Sequence, residues 1–203
     1  MKKVPFETKF NGEDFYCLSN DWKEGECRYS LELSRTETPE NTILVVGVNP
    51  GGKTDPEVPF IGATVRRVCG LVFGGGKNDS PYDSVLFVNL TPMIDKKPSE
   101  LRNNEKVKAY HEGNIKKIIS LINERGGRIR NVLFCFGSSF RYNRELFSEV
   151  VRAITETLPP DKVKYWCLGL STKGYPVHPL AHVSDMRLTE FTAGQIASFL
   201  RKD

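Results

Sequence analysis

The sequence predicts an α/β fold: a three-layer α/β/α arrangement with a mostly parallel central sheet of about four strands. Three observations lead there. Four short apolar runs, over 42–48, 84–90, 131–137 and 163–169, are rich in Val, Ile, Leu and Phe and too short for most helices. Such runs read as strands buried on both faces, which belong to parallel sheets covered by helices. Between and after them lie stretches whose apolar residues recur at three- and four-residue spacing. Strand and helix then alternate along the chain, which is the pattern of a layered α/β domain.

Residues 1–41 form a polar, irregular lead-in to a single domain spanning 1–203, with the core over 42–203. Within the lead-in, Phe15 to Leu18 suits a short strand, and the apolar–polar alternation of Arg28 to Leu33 suggests an edge or one-sided strand. The first buried strand, Thr42 to Val48, runs into Asn49-Pro50-Gly51-Gly52. A loop rich in Gly, Pro and Asp follows, then a helix over about 62–73 with Val65, Val68, Cys69 and Val72 on one face; Gly74-Gly75-Gly76 ends it. The second strand ends at Asn89-Leu90, and Thr91 to Asn104 is a polar connection. A long helix over about 105–124 carries Val107, Ile115, Ile118, Ile119 and Ile122 and stops at Gly126-Gly127. The third strand is followed by a helix over about 143–157, ended by Pro159-Pro160. The fourth leads into a loop containing His178, and a final helix over about 190–201 has Phe191, Ile196 and Leu200 as core candidates.

Composition narrows the class of function. With 203 residues, 39% hydrophobic and 27% charged, the chain suits one domain with a sizeable core. A net charge of +4 permits an anionic partner without demanding one. Cysteines 17, 27, 69, 135 and 167 are scattered and include no C-x-x-C pair, which favours reduced thiols and a cytoplasmic setting over a disulfide framework or zinc site. Met1 to Pro5 has no apolar core behind its lysines, so neither a signal peptide nor a membrane partner is expected. The glycine-rich segments match neither the phosphate-binding loop nor the dinucleotide fingerprint, and no G-x-S-x-G elbow is present; no cofactor is expected. His178 and His182 are four apart, but Pro179 opposes a helix there and no further ligand completes a metal set.

Chemistry is best sought where strands end, because ligands in parallel sheets bind beyond the carboxyl edge. Three transitions supply Asn49, Asn89 and His178. An Asn offers both a donor and an acceptor, and with an imidazole it suits the edge of a planar heterocycle. Each residue alone also has an ordinary structural explanation: a turn, a strand end, or a buried His bonded to backbone.

Together the residues resemble a known group. Gly47-Val48-Asn49-Pro50-Gly51 resembles the first motif of the mismatch-specific branch of the uracil-DNA glycosylase superfamily, in which the Asn positions the hydrolytic water. Val85 to Asn89 resembles the strand whose Asn reads the uracil edge, and His178-Pro179-Leu180 resembles the His-Pro-Ser motif whose His stabilises the departing base. A broader resemblance, over about 28–183, is to the bacterial domain-of-unknown-function family 1643. It rests on Arg28-Tyr29-Ser30-Leu31, Asn49-Pro50-Gly51 with Asp55, Thr64 before Arg66-Arg67, Asn89-Leu90, Cys167-Leu168-Gly169, and Gly174-Tyr175-Pro176-Val177-His178-Pro179-Leu180.

The resemblance implies a DNA-repair hydrolase of N-glycosidic bonds acting on a nucleobase in DNA or a nucleotide. Asn49 and His178 would be catalytic. Pro50, Gly51, Asn89, Pro179 and Leu180 would hold the base, and Phe60 would stack on it. Arg66, Arg67, Lys173 and Arg187 are candidate phosphate contacts. Two departures stand out: Leu180 replaces the motif's Ser, and no Asp or Glu in the first motif supplies a strong base. The alternatives are a non-catalytic nucleotide or nucleic-acid binding module on the same scaffold, and a protein-interaction domain.

Overall fold

The computed structural model describes residues 2–5, 14–23, 27–51, 61–74, 80–94, 98–102, 104–181 and 186–201. The four apolar runs form β4 (Thr42–Gly47), β5 (Ser84–Asn89), β6 (Ile129–Phe134) and β7 (Lys164–Cys167). Before them come β1 (Lys2–Pro5), β2 (Asp14–Lys23) and β3 (Cys27–Ser34), and after them β8 (Thr189–Glu190). All eight described strands join one sheet in the order β1-β2-β3-β5-β4-β6-β7-β8. β5, β4, β6 and β7 run parallel to their neighbours within this group, while β1, β2, β3 and β8 pair antiparallel.

The fold class is therefore mixed α/β with a partly parallel sheet, which corrects the expected sheet of about four mostly parallel strands. The four expected strands are its parallel core. What the sequence hid is the antiparallel extension built from residues within 1–41, which are not merely an irregular lead-in. β3 in particular is no edge: it lies between β2 and β5 and is buried on both faces. Its alternation suggested a wet face because Ser30, Glu32 and Ser34 are polar, yet all three are buried. Glu32, 1% exposed, accepts from Arg125 Nη2 at 2.7 Å and Nε at 3.2 Å, and from Ser84 Oγ at 3.0 Å. A buried charge that is fully hydrogen-bonded occupies a core position without betraying it in the sequence.

Helices α1 (Ala63–Val72), α2 (Glu105–Arg125), α3 (Arg144–Thr157) and α4 (Ala193–Arg201) follow the expected periodicities, α4 starting later because β8 precedes it. α2 is capped by Asn104, whose side chain accepts from Lys106 N, and it ends at Gly126 with a φ of 53°. Strand residues alternate between two cores. Leu44, Val46, Leu86, Val88, Val132 and Phe134 pack with α2, α3 and α4; Ile43, Val45, Val85, Phe87, Leu133 and Cys135 pack with α1. α1 thus lies on one side of the sheet and the other three helices on the opposite side. Among the described residues no helix is long and apolar enough to cross a membrane.

The Glu32–Arg125 pair ties the antiparallel extension to α2. Arg125→Met leaves a buried carboxylate without its cation, and we expect it to lower unfolding stability in urea by about 3 kcal/mol. The double substitution Glu32→Leu, Arg125→Met is expected to recover most of that loss.

Candidate functional site

Parallel strands that end together leave a row of loops at one edge. On the α1 face of that edge is a cavity of about 350 Å³. Its floor is apolar, from Val45, Phe87 and Cys135. Asn49, Asn89 and His178 all line it, together with Pro50, Gly51 and Leu180. The three residues singled out by the sequence therefore face one space.

Asn89 reaches that space because of register. It pairs with Gly47 across β4 and β5, and both fall on the α1 face in step with Val45 and Phe87. Gly47 is small for a specific reason: a Cβ there would lie 2.7 Å from Asn89 Oδ1. The carboxamide rests directly over the glycine. Behind it, the backbone is pinned from the other side of the sheet. Asn114, fully buried on α2, donates through Nδ2 to Asn89 O at 3.0 Å and Leu90 O at 3.3 Å. The strand ladder also continues past the strand ends, with Leu90 N–H donating to Gly47 O and Thr91 N–H to Val48 O. Sequence reasoning missed Asn114, although a polar residue in the apolar stripe of an amphipathic helix was a usable signal.

His178 is placed by an aromatic anchor and a second glycine. Tyr175 packs edge-on to Phe199 at 5.9 Å and against Phe140 at 6.3 Å. Gly137 N–H donates to Pro176 O, and Val177 N–H to Gly169 O, both at 2.9 Å. Gly137 has a φ of 67°, and a Cβ there would meet His178 Cβ at 3.0 Å, so only glycine suits both backbone and neighbour. Leu180 N–H donates to His178 Nδ1 at 3.2 Å. Nδ1 is thus an acceptor, which puts the neutral ring's proton on Nε2. Burial lowers the His178 pKa below the ordinary imidazole value. The site presents a neutral imidazole with a donor at Nε2.

Asn49 Nδ2 donates to Pro50 O at 3.3 Å, which folds the side chain back onto its own turn at the cavity wall. Cys135 is no nucleophile: its Sγ donates to Val46 O at 3.5 Å, and burial pushes its thiol up to about 12.

Several lining residues were not expected. Gly62, Ala63, Thr64 and Val65 bring the start of α1 to the cavity, and Ser139 enters from the 3₁₀ turn Gly137–Asn143. Arg28 is the most consequential. Between Asp21 and Trp22 the β2–β3 register shifts, so that Asp21 faces Ser30 and Trp22 faces Arg28, with Tyr29 bulged between. Tyr29 packs into the α2 core, and Arg28 turns to the α1 face and lines the cavity. It is 5% exposed, and burial brings its pKa down to about 10. Arg28 opened the Arg-Tyr-x-Leu motif, but nothing in that motif reveals a bulge.

The other expected residues lie elsewhere. Pro179 is buried but does not line the cavity. Arg66 and Arg67 are exposed on α1, with Arg66 Nε donating to Ile61 O at 3.0 Å, and neither lines the cavity. Lys173 and Arg187 are exposed and also absent from its walls. Phe60, Asp55 and His182 lie outside the described residues.

A family model described as "Protein of unknown function (DUF1643)" matches residues 28–180. That span contains every described residue of the cavity wall, from Arg28 to Leu180. No curated protein and no solved structure matches the chain.

Two outcomes follow from this geometry. Gly47→Ala forces the Asn89 carboxamide to turn, at a cost of about 1 kcal/mol for an off-rotamer side chain; chemical denaturation is expected to show that small loss, while cavity ligands bind at least tenfold more weakly. His178 is expected to titrate by NMR below the ordinary imidazole range, with its neutral form protonated at Nε2. Its folded pKa is depressed, so the unfolded chain takes up the proton first. Stability is therefore expected to fall as pH drops below about 6.5, the unfolded value, and to level off below the folded pKa.

Proposed function

The chain belongs to the family of unknown function DUF1643, and since that description names no activity, we propose from its cavity that it binds a nucleobase and hydrolyses its N-glycosidic bond. We read the fold as the three-layer uracil-DNA glycosylase-like arrangement. One observation carries the proposal: Asn49, Asn89 and His178, from three separate segments, line a single cavity at the carboxyl edge of the sheet. Asn89 reads the edge of the base, with a donor and an acceptor to offer. His178 Nε2–H donates to a base oxygen as the C1′–N bond breaks and its electron pair moves onto the base. Asn49 holds the water whose oxygen bonds to C1′; the proton that this water sheds ends on the departing base, which carries the electron pair of the broken C1′–N bond.

No carboxylate is among the described lining residues, and neither Asn can take a proton from water. The reaction therefore relies on stabilising the leaving base, for which a neutral donor in a partly desolvated site is suited. The same lack of a strong base favours the second reading, a nucleotide-binding module that keeps Asn89 and His178 but attacks nothing. The third, a protein-interaction domain, expects a filled carboxyl edge and a large exposed apolar patch. A cavity occupies that edge, and among the described residues the exposed large hydrophobics are Leu170 and Leu180.

Incubation with oligonucleotides carrying uracil, hypoxanthine or mismatches, and with free nucleosides and nucleotides, tests the enzyme. Chromatography is expected to detect free base, with abasic sites in the oligonucleotides. Asn49→Ala and His178→Ala are each expected to lower the rate by about a hundredfold or more. If no substrate releases base while nucleotides still raise the melting temperature, the binding module replaces the enzyme.

A further inference from the structure

The described cavity wall carries a built-in charge. Among the described lining residues Arg28 is the only charged one, since the imidazole of His178 is neutral and none is a carboxylate, and the guanidinium is 5% exposed. The bulge at Tyr29 puts Arg28 on the α1 face, whereas Glu32 meets Arg125 of α2 on the other. The start of α1 adds to the same sign. Its N-cap is Gly62, with no side-chain cap and no acidic residue in the first turn. A guanidinium held by the fold against a cavity is a planar fork for an oxyanion.

Position along the edge defines the ligand further. Arg28 sits on β3 and His178 over Gly137 at the end of β6, with β5 and β4 between them. Three strand spacings separate these backbones by about 14 Å, with Asn89 and Asn49 in the interval. A ligand touching both ends has a neutral hydrogen-bonding head and an anionic tail. The volume, near the lower end of the roughly 300–1,000 Å³ of ligand pockets, suits one such molecule rather than a strand.

We propose that the cavity takes a nucleoside monophosphate, its phosphate on Arg28 and its base between Asn89 and His178. This rests on the nucleobase reading above and adds the anchor. A terminal phosphate can end against a buried guanidinium. A phosphodiester must lead onward in both directions, and none of Arg66, Arg67, Lys173 or Arg187 lines the cavity to receive it.

Calorimetric titration of the intact chain tests this with nucleosides, their 5′-monophosphates, ribose 5-phosphate and short single-stranded oligonucleotides. The monophosphate is expected to bind at least tenfold more tightly than its nucleoside. Arg28→Gln is expected to erase that advantage and leave nucleoside affinity unchanged; Arg28→Lys, which keeps the charge, retains part of it and guards against misfolding of the first variant. Nucleosides binding as tightly as monophosphates, with loss in Asn89→Ala, would overturn the anchor and leave the base reading intact. Ribose 5-phosphate binding as tightly as any nucleotide, dependent on Arg28, would overturn the base reading and with it the nucleotide. Oligonucleotides binding more tightly than monophosphates through Arg28 would replace the mononucleotide by a polymer, and no binding by any probe overturns both.

Discussion

The register between β4 and β5 is the constraint on which the site depends. Gly47 opposite Asn89 puts a carboxamide over a bare backbone, and both residues on the α1 face. A slip of one residue would turn Asn89 to the other face and a β-branched valine toward the cavity. Two devices oppose that slip. The ladder runs on past the strand ends through Leu90 and Thr91, and Asn114 grips the same backbone from α2. Since α2 packs on the face away from the cavity, the helix that secures Asn89 never touches what Asn89 would bind.

The two sides of the sheet treat charge differently. On the α2 side, Glu32 is buried in a set of partners that satisfies both oxygens, and it serves to join the antiparallel strands to the helical layer. On the α1 side, Arg28 is buried in the wall of the cavity. A single bulged residue separates the two situations. The neutral groups show a parallel economy of placement: Gly47 and Gly137 each leave room for one side chain that lines the cavity, Asn89 and His178 respectively.

The parallel core and all four helices were legible in the sequence, because Val- and Ile-rich runs and helical periodicities are signals of burial that do not depend on partners. β3 was misjudged because Glu32, Ser30 and Ser34 look wet in isolation; their partners, Arg125 and Ser84 for Glu32, Ser19 for Ser30 and the Asp83 carbonyl for Ser34, come from other parts of the chain. Asn49 and Asn89 were legible for the complementary reason, as polar residues placed just where buried strands stop, and His178 as a residue of the loop that follows β7. Arg28 was not, since it lies near the start of an antiparallel strand, and such a start meets the ends of its parallel neighbours only once the topology is known. The surface cations Arg66, Arg67, Lys173 and Arg187 show the converse. Charge is visible in a sequence, but the side of the molecule it occupies is not.

The order of strands also has a kinetic consequence. β5 is a wedge: β3 and β4 precede it in the chain, yet it lies between them, antiparallel to one and parallel to the other. Until residues 84–89 arrive, β3 and β4 each carry an open edge, the kind of surface that pairs with other chains. Insertion of β5 closes both edges at once, through contacts distant in sequence, which makes it a slow step in acquiring the fold. The strand that closes the sheet is the one that carries Asn89. A chain emerging from synthesis therefore gains Asn89 in the event that closes these two edges, while the β4 edge that takes β6 stays open until residues 129–134 arrive.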